Sequence, residues 1–163
     1  MMLVKHIYHS PLGDMSIIAN KEGVIGIWFF EQTYFEQGIS EKPIEGLTEA
    51  IDLVIDWLND YFSGRNPSTN NLPLIIKGSS FQKKVWNALR RIPYGQSRTY
   101  GELAKQLGCQ SPQAVGTAIG RNPFSIIIPC HRVLSSAGKL SGYAGGLDKK
   151  RWLLEHEKIT FTP

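Results

Sequence analysis

Ile126-Ile127-Ile128-Pro129-Cys130-His131-Arg132-Val133 sets a thiol directly beside an imidazole at the end of an apolar run. Three consecutive β-branched residues predict a buried strand. The proline that follows ends the strand and fixes the backbone where the cysteine emerges. A thiol is a useful nucleophile only as its thiolate, and a neighbouring imidazole is the commonest way to draw off the proton near neutral pH. Taken alone, the pair is equally compatible with a buried structural cysteine, since free cysteine is among the most buried residue types. The flanking sequence decides between the two.

Asn122-Pro123 lies just upstream, and Ser141-Gly142-Tyr143-Ala144-Gly145-Gly146-Leu147 follows a short loop downstream, before Lys150-Arg151-Trp152-Leu153-Leu154-Glu155-His156-Glu157. With these neighbours, Gly116 to Glu157 resembles the active-site half of the O6-alkylguanine-DNA alkyltransferase family. Three motifs carry the likeness: Pro-Cys-His-Arg-Val, the Asn-Pro before it and the Tyr-x-Gly-Gly-Leu after it. The resemblance is strong from Phe81 to Glu157 and weaker, though compatible, over the first 77 residues. It implies a two-part α/β (α+β) chain. Residues 1–77 would form a ribonuclease-H-like domain, an antiparallel sheet with a helix. Residues 78–163 would form a mainly helical domain with a helix-turn-helix, for DNA binding and alkyl transfer.

A chain of 163 residues is long enough for one ordinary domain or two small ones. No apolar run approaches the ~20 residues of a membrane span, and the start lacks a signal peptide's apolar core, so a cytoplasmic protein without a membrane partner is expected. Two cysteines, Cys109 and Cys130, do not make a disulfide framework, and a reducing compartment suits a free thiol. Cys109 reads as a turn or helix-end residue with no chemical role. His6 and His9 fall on opposite faces of a strand, and no His/Cys cluster has ligand spacing, so no metal and no cofactor are expected. Charge is divided unequally. Residues 1–77 carry five Lys/Arg against ten Asp/Glu, net −5, whereas residues 78–163 carry thirteen against four, net +9. The basic half is the footprint of a polyanion binder.

The first thirty residues alternate as strands: Val4 to His9, Met15 to Ala19 and Val24 to Phe29, with Ser10-Pro11-Leu12-Gly13 as a turn and Asn20-Lys21-Glu22-Gly23 closing a hairpin. Ile44 to Phe62 has helical spacing in Leu47, Ile51, Val54, Ile55, Leu58 and Phe62. Ser63 to Asn71 is a linker by composition. Ser79 or Ser80 caps a helix with the stripe Phe81, Val85, Trp86 and Leu89, which Ile92-Pro93-Tyr94-Gly95 stops. Thr99 to Leu107 predicts a second helix with Gly108 beyond its end, and Ser111-Pro112 opens a third through Ile119. Two short helices about a glycine-containing turn read as helix-turn-helix. Trp152, Leu153 and Leu154 read as the core of a terminal helix.

Ala114-Val115-Gly116-Thr117-Ala118-Ile119-Gly120 is a poor helix by propensity, each glycine costing about 1 kcal/mol against alanine. It lacks the Arg/Asn/Gln cluster that reads base edges in the major groove, but its small residues allow close approach to the narrow minor groove. Tight packing inside the protein is the alternative reading of the same run. Little sequence preference is what repair at arbitrary positions requires.

The resemblance implies DNA repair by single-turnover transfer of an alkyl group from O6-alkylguanine, with O4-alkylthymine as a second substrate, to Cys130. The target base would rotate out of the duplex, since a thiolate cannot reach an atom inside the stack. His131 would take the thiol proton through a bridging water, oriented by Glu157. Asn122 would tie the turn after the recognition helix to the nucleophile's loop. Tyr100 would protonate N3 of the leaving guanine. Tyr100, Tyr143 and Ile119 would shape the pocket, and the carbonyls of Cys130 and Val133 would accept from the exocyclic amine. The amide of Ala144 would bond O6. Gln113, Ala114, Gly116, Thr117, Arg98 and Arg121 would contact double-stranded DNA, the protein acting as a monomer. Most relatives have arginine where Gln113 stands, a departure that affects base extrusion and not the chemistry. Arg132 reads as a structural salt-bridge or phosphate partner. A damage sensor would lack the cysteine, and a Cys-His hydrolase would need an oxyanion hole and a route for water.

Overall fold

The first thirty residues form β1 (Val4–Ser10), β2 (Gly13–Ala19) and β3 (Val24–Phe29), consecutive antiparallel neighbours paired from Val4 with Ala19 and from Met15 with Phe29; β2 from Met15 onward and β3 are buried almost throughout instead of alternating. The computed structural model describes residues 2–163, which divide into one unit ending at Lys77 and a second beginning at Gly78. In the first unit, Gly13 holds φ at +108°, a left-handed turn that a side chain would strain. Asn20 Oδ1 accepts from the amides of Glu22 and Gly23 to close the second turn.

Ile44 and Glu45 form a short strand, β4, parallel to β1, giving the sheet order β3-β2-β1-β4. The helix expected from Ile44 therefore begins later, as α1 (Glu49–Phe62), with Thr48 Oγ1 accepting from Ile51 N at 3.1 Å. The open edge of β1 offers unpaired backbone groups, and Ile44 N and Gly46 N take the Leu3 and Lys5 carbonyls. Leu47 is consequently 58% exposed instead of joining the apolar stripe. Ile51, Val54, Trp57, Leu58 and Tyr61 make the buried face of α1, which packs on β1 and β2.

The second unit opens with α2 (Ser80–Arg90). Ser79 is its cap, in a reciprocal box with Gln82. Val85, Trp86, Ala88 and Leu89 are buried, while Phe81 is half-buried. Thr99 and Glu102 form a second capping box at the head of α3 (Tyr100–Gln106), and Ser111 caps α4 (Pro112–Gly120). Gly108 turns the chain between them at φ +66°. Here α4 packs against both α2 and α3, the helix-turn-helix read from the sequence. A two-stranded parallel sheet joins β5 (Arg98–Thr99) to β6 (Val133–Leu134), and α5 (Leu147–His156) closes the unit.

Two expectations fail here. Ile126, Ile127 and Ile128 are buried but form turns instead of a strand: Ile127 N bonds Ser125 O and Ile128 N bonds Phe124 O. Ile126 sits at φ +71°, an unusual place for a β-branched residue. A short apolar run reports burial, and burial does not require a strand. Trp152 is only half-buried, stacked on His156 with ring centroids 4.8 Å apart, so the terminal helix's core is Leu153 and Leu154. Among the described residues, no helix is long and apolar enough to cross a membrane.

Candidate active site

The turns after α4 carry the chain to Cys130, the first residue of a single 3-10 turn, Cys130–Arg132. Asn122 organises the approach. Its Nδ2 donates to Ile128 O at 2.8 Å and Phe124 O at 3.4 Å, while its Oδ1 accepts from Phe124 N at 2.9 Å. One buried amide thus fixes both ends of the segment containing the left-handed Ile126. Such a backbone costs about 1–3 kcal/mol and persists only where its surroundings over-determine it.

Cys130 is 6% exposed, and His131 beside it is fully buried. His131 Nε2 lies 2.6 Å from Glu157 Oε2. Glu157, 3% exposed, also accepts from Arg132 Nε at 2.8 Å, the second Arg132 nitrogen at 3.2 Å and Gly95 N at 3.1 Å. Arg132 in turn donates to Ile92 O at 2.7 Å and lies over the Tyr94 ring. The Ile92–Gly95 stop after α2 is therefore also the buttress of the carboxylate. Arg132 is structural, held by Glu157.

Burial opposes the Glu157 charge. The hydrogen bond from His131 and the Arg132 guanidinium outweigh it, and hold the carboxyl well below the usual carboxylate range. Burial likewise pushes His131 down, so its imidazole is neutral at pH 7. An ionised carboxylate only accepts, so Nε2 carries the proton and Nδ1 keeps its lone pair. Nδ1 is buried and has no hydrogen-bond partner among the described residues. A neutral imidazole held by a carboxylate thus neighbours a thiol in the chain.

The thiol is raised by burial, with Asn122, Lys150 and Tyr143 pulling the other way. Tyr143's hydroxyl is buried, makes no conventional hydrogen bond among the described residues, and is pushed well above its ordinary value by burial and by Cys130. Tyr100 OH reaches Ser141 O at a long 3.4 Å, and burial followed by Cys130 raises it too. Val133, Ile119 and Ala144 lie in the same unit, the first two buried and the third half-buried.

Lys150 is the residue that sequence reasoning missed. Its fully buried Nζ donates to Val133 O at 2.5 Å, Ser141 O at 2.7 Å and Gly142 O at 3.0 Å. Burial lowers its pKa to about 8, although Cys130 favours the charge. That shift costs roughly 3 kcal/mol at neutral pH. The signal was present: Lys150, Leu153, Leu154 and Glu157 follow i, i+3, i+4, i+7, one helix face with charges at both ends.

The remaining candidate residues fall on α4, at its end and on β5. On α4, Gln113 and Thr117 are exposed, Ala114, Gly116 and Gly120 half-buried, and Val115, Ala118 and Ile119 buried. Trp86 Nε1 donates to Ala118 O at 2.9 Å. A Cβ on Gly116 would stand 3.7 Å from the Tyr100 ring, whereas one on Gly120 would meet open space. Inward packing therefore does not by itself demand glycine at either position. Arg98 folds back onto Ser97 O at 2.8 Å, and Arg121 ends the helix. Cys109 is half-buried, its Sγ 3.5 Å from Ser111 O.

Residues 80–159 match the family described as 6-O-methylguanine DNA methyltransferase, DNA binding domain, and residues 3–76 match its ribonuclease-like domain. A Shigella flexneri protein named methylated-DNA–protein-cysteine methyltransferase is 50% identical over 157 residues, covering 91% of each chain. A Mycobacterium tuberculosis protein of the same name is 42% identical over 91% of this chain and 88% of its own. The crystal structure of M. tuberculosis OGT in complex with DNA superposes with a TM-score of 0.85 at 39% identity, covering 95% of this chain and 93% of that one.

Proposed function

The chain belongs to the methylated-DNA–protein-cysteine methyltransferase family, and we propose that within it Cys130 is the alkyl acceptor and His131 its base. The protein binds DNA and repairs it by direct reversal, through alkyl transfer. The observation that carries the site assignment is the neutral, buried His131, bonded to Glu157 through Nε2 and without a partner at Nδ1 among the described residues, one residue from a buried thiol. This is the nucleophile–base–orienter arrangement.

In the proposed step, Nδ1 takes the thiol proton through a bridging water, and Glu157 balances the imidazolium. The sulfur lone pair attacks the alkyl carbon in line, an S–C bond forms, and the C–O6 pair leaves with guanine. Tyr100 donates its hydroxyl hydrogen bond toward N3 as charge develops there, and the proton the base finally keeps is the one the thiol gave up, returned from His131 through water. Carbonyls of Cys130 and Val133 accept from the exocyclic amine, and the Ala144 amide bonds O6, with Tyr143 and Ile119 closing the pocket. Lys150, Asn122 and Tyr143 favour the thiolate against burial. The thioether is not hydrolysed, so each molecule reacts once.

Residues 78–163 would carry both DNA binding and transfer, with residues 1–77 as the ribonuclease-H-like domain. The exposed Gln113 and Thr117, with Ala114 and Gly116, support docking of α4 in the minor groove around a flipped base. Arg98 and Arg121 would serve the phosphates. The protein would act as a monomer in a reducing cytoplasm. Intact-mass and peptide measurements after incubation with an oligonucleotide containing one O6-methylguanine should add about 14 Da to the Cys130 peptide and none to that of Cys109. Label on Cys109, or several turnovers per molecule, would overturn the assignment.

A further inference from the structure

Lys150 is the only lysine buried among the described residues, and no carboxylate among them pairs with it. Instead its three protons meet three backbone carbonyls: Val133 O on β6, directly after the nucleophile's turn, and Ser141 O and Gly142 O on the loop that leads to Tyr143. An ammonium has three donors and no acceptor, so this arrangement uses its whole capacity. A neutral amide or hydroxyl could not replace it at all three.

Two of those carbonyls bear on the substrate contacts proposed above. A carbonyl oxygen has two lone pairs, and the Lys150 bond to Val133 O takes one and directs the other. Charge-assisted bonds are roughly twice as strong as neutral ones, so that direction is firmly held. Ser141 O is shared: Lys150 holds it at 2.7 Å and Tyr100 OH reaches it at only 3.4 Å. Tyr100 can therefore turn away without leaving a buried carbonyl unpaired. The ammonium also lies 5.9 Å from the Tyr100 ring centroid.

We propose that Lys150 is a specificity-positioning residue: its ammonium aims the Val133 carbonyl at the exocyclic amine of guanine and frees the Tyr100 hydroxyl for the base. The inference rests on the Val133 and Tyr100 roles given under the proposed function. It assigns Lys150 no contact with the base.

The test compares transfer from two free bases, O6-benzylguanine and O6-benzylhypoxanthine, which differ only in the 2-amino group. Both use the same thiol and the same leaving oxygen, so any effect of Lys150 on Cys130 divides out of their rate ratio. The wild-type chain should prefer the guanine. In Lys150→Met that preference should shrink by up to about tenfold, the worth of one well-aimed hydrogen bond. Lys150→Gln, which keeps two N–H donors, should lie between and serves if the first variant does not fold. An undiminished ratio in a folded variant, with both substrates slowed equally, would overturn the proposal. So would loss of the fold in both variants, which would make Lys150 a structural residue alone. A wild-type chain indifferent to the 2-amino group would instead remove the Val133 role, and this inference with it.

Discussion

Replacing Glu157 by glutamine keeps the shape of the side chain and removes only its charge. Four donors converge on its two oxygens: His131 Nε2, two nitrogens of Arg132 and Gly95 N. An amide has one oxygen, so in either orientation its NH2 faces a donor. If the NH2 faces Nε2, the imidazole must present a lone pair there and move its proton to Nδ1, where the base is needed. If it faces Arg132 Nε and Gly95 N, the guanidinium loses its bond from Nε and the amide its partner. In both cases Arg132, almost wholly buried, is left with its charge uncompensated. Breaking a buried pair from one side costs about 3–5 kcal/mol. Losing a correctly protonated, oriented base costs about 10²–10⁴-fold in rate. Urea unfolding and single-turnover transfer from an O6-methylguanine duplex would read the two effects separately. The double variant Arg132→Met with Glu157→Gln should regain part of the stability, because the orphaned charge is gone, and none of the rate. A Glu157→Gln chain that loses under about 1 kcal/mol and transfers at nearly the wild-type rate would refute the argument.

Gln113→Arg should tighten duplex binding through an added charge at the phosphates and speed transfer on duplex substrate, with almost no change on free O6-benzylguanine; equal acceleration on both would place Gln113's influence at the thiol. At Ile126, φ +71° inverts the usual order of substitutions, so Ile126→Gly should be more stable than Ile126→Ala by about 1 kcal/mol in urea unfolding, although both lose buried volume. With acid, stability should fall in two stages. The first begins below pH 6.5, where unfolded histidine takes a proton that buried His131 resists. The second begins below 4.5, as Glu157, held low in the folded state, is forced to protonate. Transfer should persist through pH 6.5 and fail below it as Nδ1 becomes protonated; an acid limb centred above 6.5 would contradict a neutral, burial-depressed base.

Local chemistry made much of this protein legible in its sequence. Short apolar runs bounded by turn residues announce β1 to β3, although β2 from Met15 onward and β3 are buried on both faces and so do not alternate. Ser79, Thr99 and Ser111 announce three helix starts, because a hydroxyl can satisfy an orphaned amide three residues on. Cys130 and His131 are adjacent in the chain, so their chemistry needs no fold to be suspected. What the sequence could not decide were the interactions that join distant segments. Glu157 meets His131 across 26 positions and Gly95 across 62, and neither spacing has a local signature. The open edge of β1 captured Ile44 and Glu45 against their helical pattern. Three isoleucines were folded into a buried turn by Asn122, where their propensity favoured a strand. Lys150 looked like one charge in a basic run, and only the packed unit shows it seated among three carbonyls. Burial is a collective property. Which polar groups lose water, and therefore must find partners, is settled when the elements pack and not when they are written in order.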